Sequence, residues 1–225
     1  MNVIMKIVTI FGSCRQHSIK NIYKCTNIQE DLTYPHYTKE VLQTIRYLKY
    51  KNLTDVEVQY TFRTPILNKS KLNYDLLKNH YNHSDVFIVE IASKLFYKYD
   101  NKFLHHISIE DKYNVAIRND IEIGKLTKSE IENDILEIKR ELEKPFIIVS
   151  HLVTRESGDR HELKCWLEEI CSNNDILFLD PIKELKKKFT TIDHLFLDET
   201  VLAHYNDTGH GIIQNIYKEY IEKII

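Results

Sequence analysis

Two runs of apolar, mostly β-branched residues limit what this chain can fold into: "DVFIVEIA" (85–92) and "PFIIVSHL" (145–152). Neither alternates apolar with polar, and both are short. Each therefore reads as a strand covered on both faces, the situation of a parallel sheet. "KIVTIF" (6–11), "VEVQYTF" (56–62) and "DILFLD" (175–180) read as three more strands. Helical stripes fall between them. Val41, Leu42, Ile45 and Leu48 share a face, and so do Ile131, Ile135, Ile138 and Leu142, behind a capping box of Thr127 and Glu130. Leu163, Trp166, Leu167 and Ile170 follow Asp159 as an expected N-cap, and a last helix is expected from about Gly209 to the end, with Ile213, Ile216, Tyr217 and Tyr220 inward. Buried strands alternating with amphipathic helices predict an α/β protein, one domain over residues 1–225 with a five-stranded parallel sheet and helices on both faces.

Composition narrows the function classes. Of 225 residues, 28% are charged and the net charge is −2, so no nucleic-acid or anionic-membrane partner is expected. No stretch approaches the roughly 18 apolar residues that span a bilayer. The apolar start "MNVIMKIVTIFGSC" reads as a core strand and not a signal peptide. Cys14, Cys25, Cys165 and Cys171 form no CxxC pair and no zinc spacing, which reads as reduced thiols in a cytoplasmic protein.

In a parallel sheet the ligand lies beyond the carboxyl ends of the strands. That rule selects Gly12–Arg15, Ala92–Lys94, Ser150–Arg155 and the residues after Asp180. Ser13 is either a helix cap or a nucleophile, and its turn offers backbone N–H groups for an oxyanion. A base is available in "LAHYNDTGHGIIQNIYKEYI" (202–221), where two histidines flank a polar turn.

The pairing of "VTIFGSC" with "HYNDTGH", together with "ILFLDPIKEL" (176–185), resembles the SGNH (GDSL-like) hydrolase superfamily, and its "GSC" form the branch of polysaccharide acetyl esterases and acetyltransferases. The resemblance implies a flavodoxin-like three-layer α/β/α fold and acyl-transfer chemistry on carbohydrate. It implies Ser13 as nucleophile, in the turn directly after the first strand. A letter-by-letter reading of "GSC" against "GDS" puts Cys14 there instead. It implies His204 as base, with the Asp207–His210 register as the alternative. Position 201 is Val where an Asp would orient the histidine, leaving Asp198 or Glu199 as substitutes, or a dyad. The family's GxND signature is replaced by Ala92-Ser93-Lys94-Leu95, so Ser93 or Lys94 becomes the expected oxyanion donor beside the Ser13 N–H.

Arg15 and His151 are expected to bind substrate, and Arg155 is a further anion-binding candidate. His105 and His106 ("FLHHI") read as a loop junction or a cleft lining. Metal binding by that adjacent pair is not expected, because neighbouring side chains diverge. Phe96, Tyr97 and Tyr99 read as packing, with stacking on a sugar ring as the alternative. The expected function is a serine esterase or deacetylase acting on carbohydrate acetyl groups, on a small-molecule or polysaccharide substrate. The absence of a nucleotide-binding signature favours water as acceptor and no required cofactor. An acetyltransferase using acetyl-CoA is the alternative, and a catalytically dead α/β module is the rival from another class.

Overall fold

The structure, a computed structural model, describes residues 6–198 and 202–225. Five strands form an all-parallel sheet: β1 (Ile7–Phe11), β2 (Lys24–Cys25), β3 (Val86–Ile91), β7 (Phe146–Ser150) and β8 (Leu177–Leu179), in the order β2-β1-β3-β7-β8. A second, antiparallel sheet joins β4 (Leu95–Tyr99), β5 (Lys102–Phe103) and β6 (Glu122–Lys125) in the order β5-β4-β6. The helices are α1 (Ile28–Asp31), α2 (Thr38–Tyr50), α3 (Asp55–Thr61), α4 (Arg63–Asn68), α5 (Tyr74–His83), α6 (Lys128–Leu142), α7 (Asp159–Asn173), α8 (Pro181–Lys188) and α9 (Asp207–Ile221), and a 3-10 helix spans Cys14–Asn21. No helix among the described residues is long and apolar enough to cross a membrane.

The apolar runs at 85–92 and 145–152 are the central strands because both their faces are buried. Phe87, Val89 and Ile91 of β3 and Ile148 of β7 face one core with Val41 and Ile45 of α2, Ile131 and Ile135 of α6, and Leu163 of α7. The alternate residues Val86 and Ile88, with Ile147 and Val149, face a second core with Ile19, Leu185 of α8, and Ile213, Ile216 and Tyr217 of α9. Each such side chain contributes about 1.5–3 kcal/mol on burial. This is the expected three-layer α/β/α arrangement, flavodoxin-like in form.

The second strand is where the reading needs correcting. Residues 56–62 are not a strand. Alternation would put Val56, Val58, Tyr60 and Phe62 on one face, but Val56 is 73% exposed while Val58, Thr61 and Phe62 are buried, a helical spacing. Thr54 and Glu57 form a capping box that satisfies the first turn of α3, and this local signal outweighs the β-branched composition. The fifth strand of the sheet is instead the two-residue β2 on its edge. Two ends also move. Gly158 caps α7, which makes Asp159 its first helical residue, and α9 starts at Asp207 behind an Asn206 cap, with Tyr220 only half-buried. The capping box at Thr127 and Glu130 is present as expected.

Candidate active site

The strand-end rule leads to the turn after β1. Gly12 and Ser13 are tied down from two sides. The Ser13 N–H donates to the Glu90 carboxylate at 2.7 Å, and the Gln29 side-chain amide donates to the Gly12 and Ser13 carbonyls at 2.6 and 2.7 Å. Glu90 is 1% exposed, at the carboxyl end of β3, beside β1. Gly12 is required here, since a Cβ would lie 2.8 Å from Glu90 Cβ. Ser13 itself caps the following 3-10 helix. It is 5% exposed, and its hydroxyl accepts from the Arg15 guanidinium at 2.9 Å.

Cys14 is the turn residue that meets the histidine. Its Sγ lies 3.9 Å from His204 Nδ1, across 190 residues of sequence. A clamp of short contacts presents His204. Phe196 bridges Tyr205, Leu197 N–H donates to the His204 carbonyl at 2.9 Å, and the Asn206 amide donates to the His194 carbonyl at 2.8 Å. Arg15 fastens the two sides, its Nε donating to the Ala203 carbonyl at 2.9 Å.

The alternative register is built differently. Asp207 and His210 lie in the first turn of α9, where Asn206 accepts from Gly209 N–H at 2.9 Å. His210 packs against Tyr205 at 5.6 Å between ring centroids. Gly209 is fixed by close approach, as a Cβ there would fall 2.1 Å from the Leu195 carbonyl oxygen. So "DTGH" is a helix start, and the structure brings His204, not His210, to Cys14. Of the orienting candidates, Asp198 is described and engaged, its carbonyl accepting from Leu202 N–H at 3.0 Å, whereas Glu199 and Val201 lie outside the described residues.

Two cavities lie beyond Arg15 and Ala203 from the pair. One of about 390 Å³ is lined by Arg15, His36, Ser93, Lys94, Tyr97 and His151, among others. The other, about 550 Å³, is lined by Arg15, His151, Arg155, Arg160, Leu202 and Ala203, among others. Arg15 and His151 belong to both walls. The cavities reach Cys14 and His204 through Arg15 and Ala203 rather than touching them. His151 is buried, and its Nδ1 lies 3.1 Å from the Leu152 carbonyl. Burial lowers its pKa to about 4, with Glu90 opposing and Arg15 and Arg160 adding to the fall.

Ser93 and Lys94 do reach the first cavity, but their polar groups are committed. Ser93 Oγ accepts from Leu95 N–H at 2.9 Å, and Ser93 N–H donates to the His36 carbonyl at 3.0 Å. Lys94 lies over the Trp166 ring and pairs with Asp159, at 3.1 Å, and with Glu162. Burial lowers its pKa, but the two carboxylates outweigh that and leave it raised. Tyr97 joins the cavity wall, while Phe96 and Tyr99 pack edge-on against Phe103 and Tyr60.

The adjacent histidines do not diverge. The His105 and His106 rings are 4.3 Å apart, and His36 stands edge-on to both at 5.2 and 4.6 Å. Burial, reinforced by His106, His151 and the guanidiniums of Arg15 and Arg63, lowers His36 to about 3, and burial holds His105 well below its usual value.

Sequence reasoning passed over Glu90 and Gln29. One signal for Glu90 was present: a single carboxylate inside the otherwise apolar "DVFIVEIA". Gln29 and His36 carry none, because only the fold brings them to the turn and to the histidine pair.

Residues 5–116 match the family model of the TviD N-terminal domain. That segment carries the turn after β1, Gln29, His36, Glu90 and the His105–His106 pair, and stops short of His204. No curated protein matches the chain.

Proposed function

We propose that the protein is an acyltransferase acting on carbohydrate, with Cys14 as nucleophile and His204 as its base. The observation that carries this reading is the Cys14–His204 contact at 3.9 Å. Ser13 was the favoured nucleophile on sequence, but its buried hydroxyl is engaged by Arg15 and its N–H is held by Glu90, so it serves as the cap that orients the turn. The match to the TviD N-terminal domain, a family of polysaccharide biosynthesis, supports a carbohydrate acetyl group as the cargo.

The chemistry follows from the pair. His204 takes the Cys14 proton as sulfur attacks the donor carbonyl. The tetrahedral intermediate collapses, and the leaving group departs with that proton, leaving an acyl thioester on Cys14. An acceptor hydroxyl then attacks the thioester, His204 takes its proton, and the departing Cys14 sulfur recovers it. The Arg15 guanidinium lines both cavities, and this reading assigns it to the developing oxyanion. Two adjoining cavities suit a donor and an acceptor held together and so favour transfer over hydrolysis. The second, with Arg155 and Arg160 on its wall, suits an anionic donor such as acetyl-CoA.

The test is acetyl transfer from acetyl-CoA to a panel of sugars by wild type and Cys14→Ala. Transfer by wild type and its loss in a folded Cys14→Ala support the reading. Hydrolysis of sugar acetates without transfer returns it to an esterase, and full activity in Cys14→Ala rejects the cysteine.

A further inference from the structure

We propose that His36, His105 and His106 form a binding site for a divalent transition-metal ion of the zinc class. The nitrogens they offer lie within 4.8 Å of one another. A tetrahedral zinc site, with Zn–N distances of about 2.0–2.1 Å, sets its ligand nitrogens ~3.4 Å apart. Ring rotation is the movement that would close the difference. The ring centroids, at 4.3, 4.6 and 5.2 Å, already surround a common point.

His105 is 1% exposed, and its ring faces the Tyr34 backbone carbonyl in a contact too poorly aligned to make a full hydrogen bond. Its Nδ1 accepts from Ile107 N–H at 3.3 Å, a long contact. Coordination through Nε2 puts the ring proton on Nδ1, so Ile107 N–H loses this acceptor and the ring turns away from it.

The backbone around the cluster is anchored on three sides. The His36 carbonyl accepts from Ala92 and Ser93 N–H at 2.8 and 3.0 Å, and its N–H donates to Glu40 at 2.9 Å. His105 N–H donates to the Thr61 carbonyl at 2.9 Å. An all-imidazole set suits zinc, copper, nickel or iron and not magnesium or calcium. His36 and His106 both line the 390 Å³ cavity, so a fourth position opens toward it. Arg15 and Arg63 act on His36 electrostatically, which makes an anionic fourth ligand, hydroxide or a substrate oxygen, the one that fits. The inference rests on this geometry and not on the proposed acyl transfer.

Cobalt(II) titrated into the chelator-stripped full-length protein tests it, read by its visible ligand-field bands and by metal content after gel filtration. One ion per chain, displaced by zinc, is expected. His106→Ala, at a half-buried ring, should weaken binding at least tenfold while circular dichroism shows a folded chain, and His36→Gln should do the same. A second His–Cys pair away from the cluster, His161 with Cys165 at 3.5 Å, is the control, and His161→Gln with Cys165→Ser should bind like wild type. No uptake by wild type, unchanged affinity in folded His106→Ala, or loss of the ion in the control variant would each overturn the site.

Discussion

The turns after β1 and β3 lie on neighbouring strands at the same end of the sheet, and both were candidates by the same rule. They are put to different uses. After β3, the Ala92 and Ser93 amides bind the His36 carbonyl, the Ser93 hydroxyl closes on Leu95, and Lys94 is neutralised by Asp159 and Glu162. After β1, Gly12, Ser13 and Arg15 are held by fixed contacts, and the side chain between them, Cys14, faces an exposed histidine. A place at the carboxyl end of a parallel strand admits a residue to the cleft. Whether that residue reacts depends on which of its polar groups the fold has already committed.

Substitution at the β1 turn should break this contrast most visibly. Cys14→Ala should lower the transfer rate by about 10³-fold or more, while Ser13→Ala stays within about tenfold of wild type and melts lower for want of its cap. The reverse pattern would restore the serine. His204→Ala should cost roughly 10²–10⁴-fold, and His210→Ala should mainly lower the melting temperature. A greater kinetic loss at His210 would select the register that begins at Asp207.

Glu90 ties the two turns together, because a β3 side chain holds the β1 amide. Glu90→Ala leaves the buried Ser13 N–H without its acceptor and should destabilise by about 1–3 kcal/mol. Denaturant melts measure this, and an unchanged midpoint would show that the turn does not depend on that bond. At the β3 turn the effect should be on stability alone. Lys94→Ala removes a buried side chain that lies over Trp166, so it should cost about 1–3 kcal/mol and leave kcat unchanged. A large fall in kcat would return Lys94 to the oxyanion role.

His151 gives a pH signature. Its folded-state pKa, about 4, lies below the usual 6.5, so between these values the unfolded chain binds the proton and the folded chain does not. Its contribution to stability is therefore present above pH 6.5 and declines as pH falls toward 4, by about 1.4 kcal/mol per pH unit. Glu40, whose buried carboxyl is raised, acts in the opposite sense, so the quantity to measure is the difference between wild type and His151→Gln. Parallel stability curves from pH 7 to 4.5 would show that the imidazole is not held neutral.

The central strands were legible because burial on two faces leaves a continuous apolar run that few other structures tolerate. Residues 56–62 misled because alternation and β-branching signal a strand only when no local contact competes, and Thr54 with Glu57 competes directly. The β1 turn and the histidine loop were legible as motifs. The choice between Ser13 and Cys14 was not, since it depends on Glu90, Gln29 and Arg15, which lie near the turn in space or point back to it only once it is folded. The histidine cluster was hidden for the same reason, with one of its three members 69 residues upstream of the adjacent pair (105 − 36).

The central claim, that Cys14 and not Ser13 carries the acyl group, is tested most directly by acid-quenching the enzyme with isotopically labelled acetyl-CoA and locating the label by peptide mass spectrometry. The account predicts one acetyl group, on Cys14, labile to hydroxylamine at neutral pH as a thioester is, and absent from Cys14→Ala. An acetyl group on Ser13 that survives mild hydroxylamine, in wild type and in Cys14→Ala alike, would contradict it.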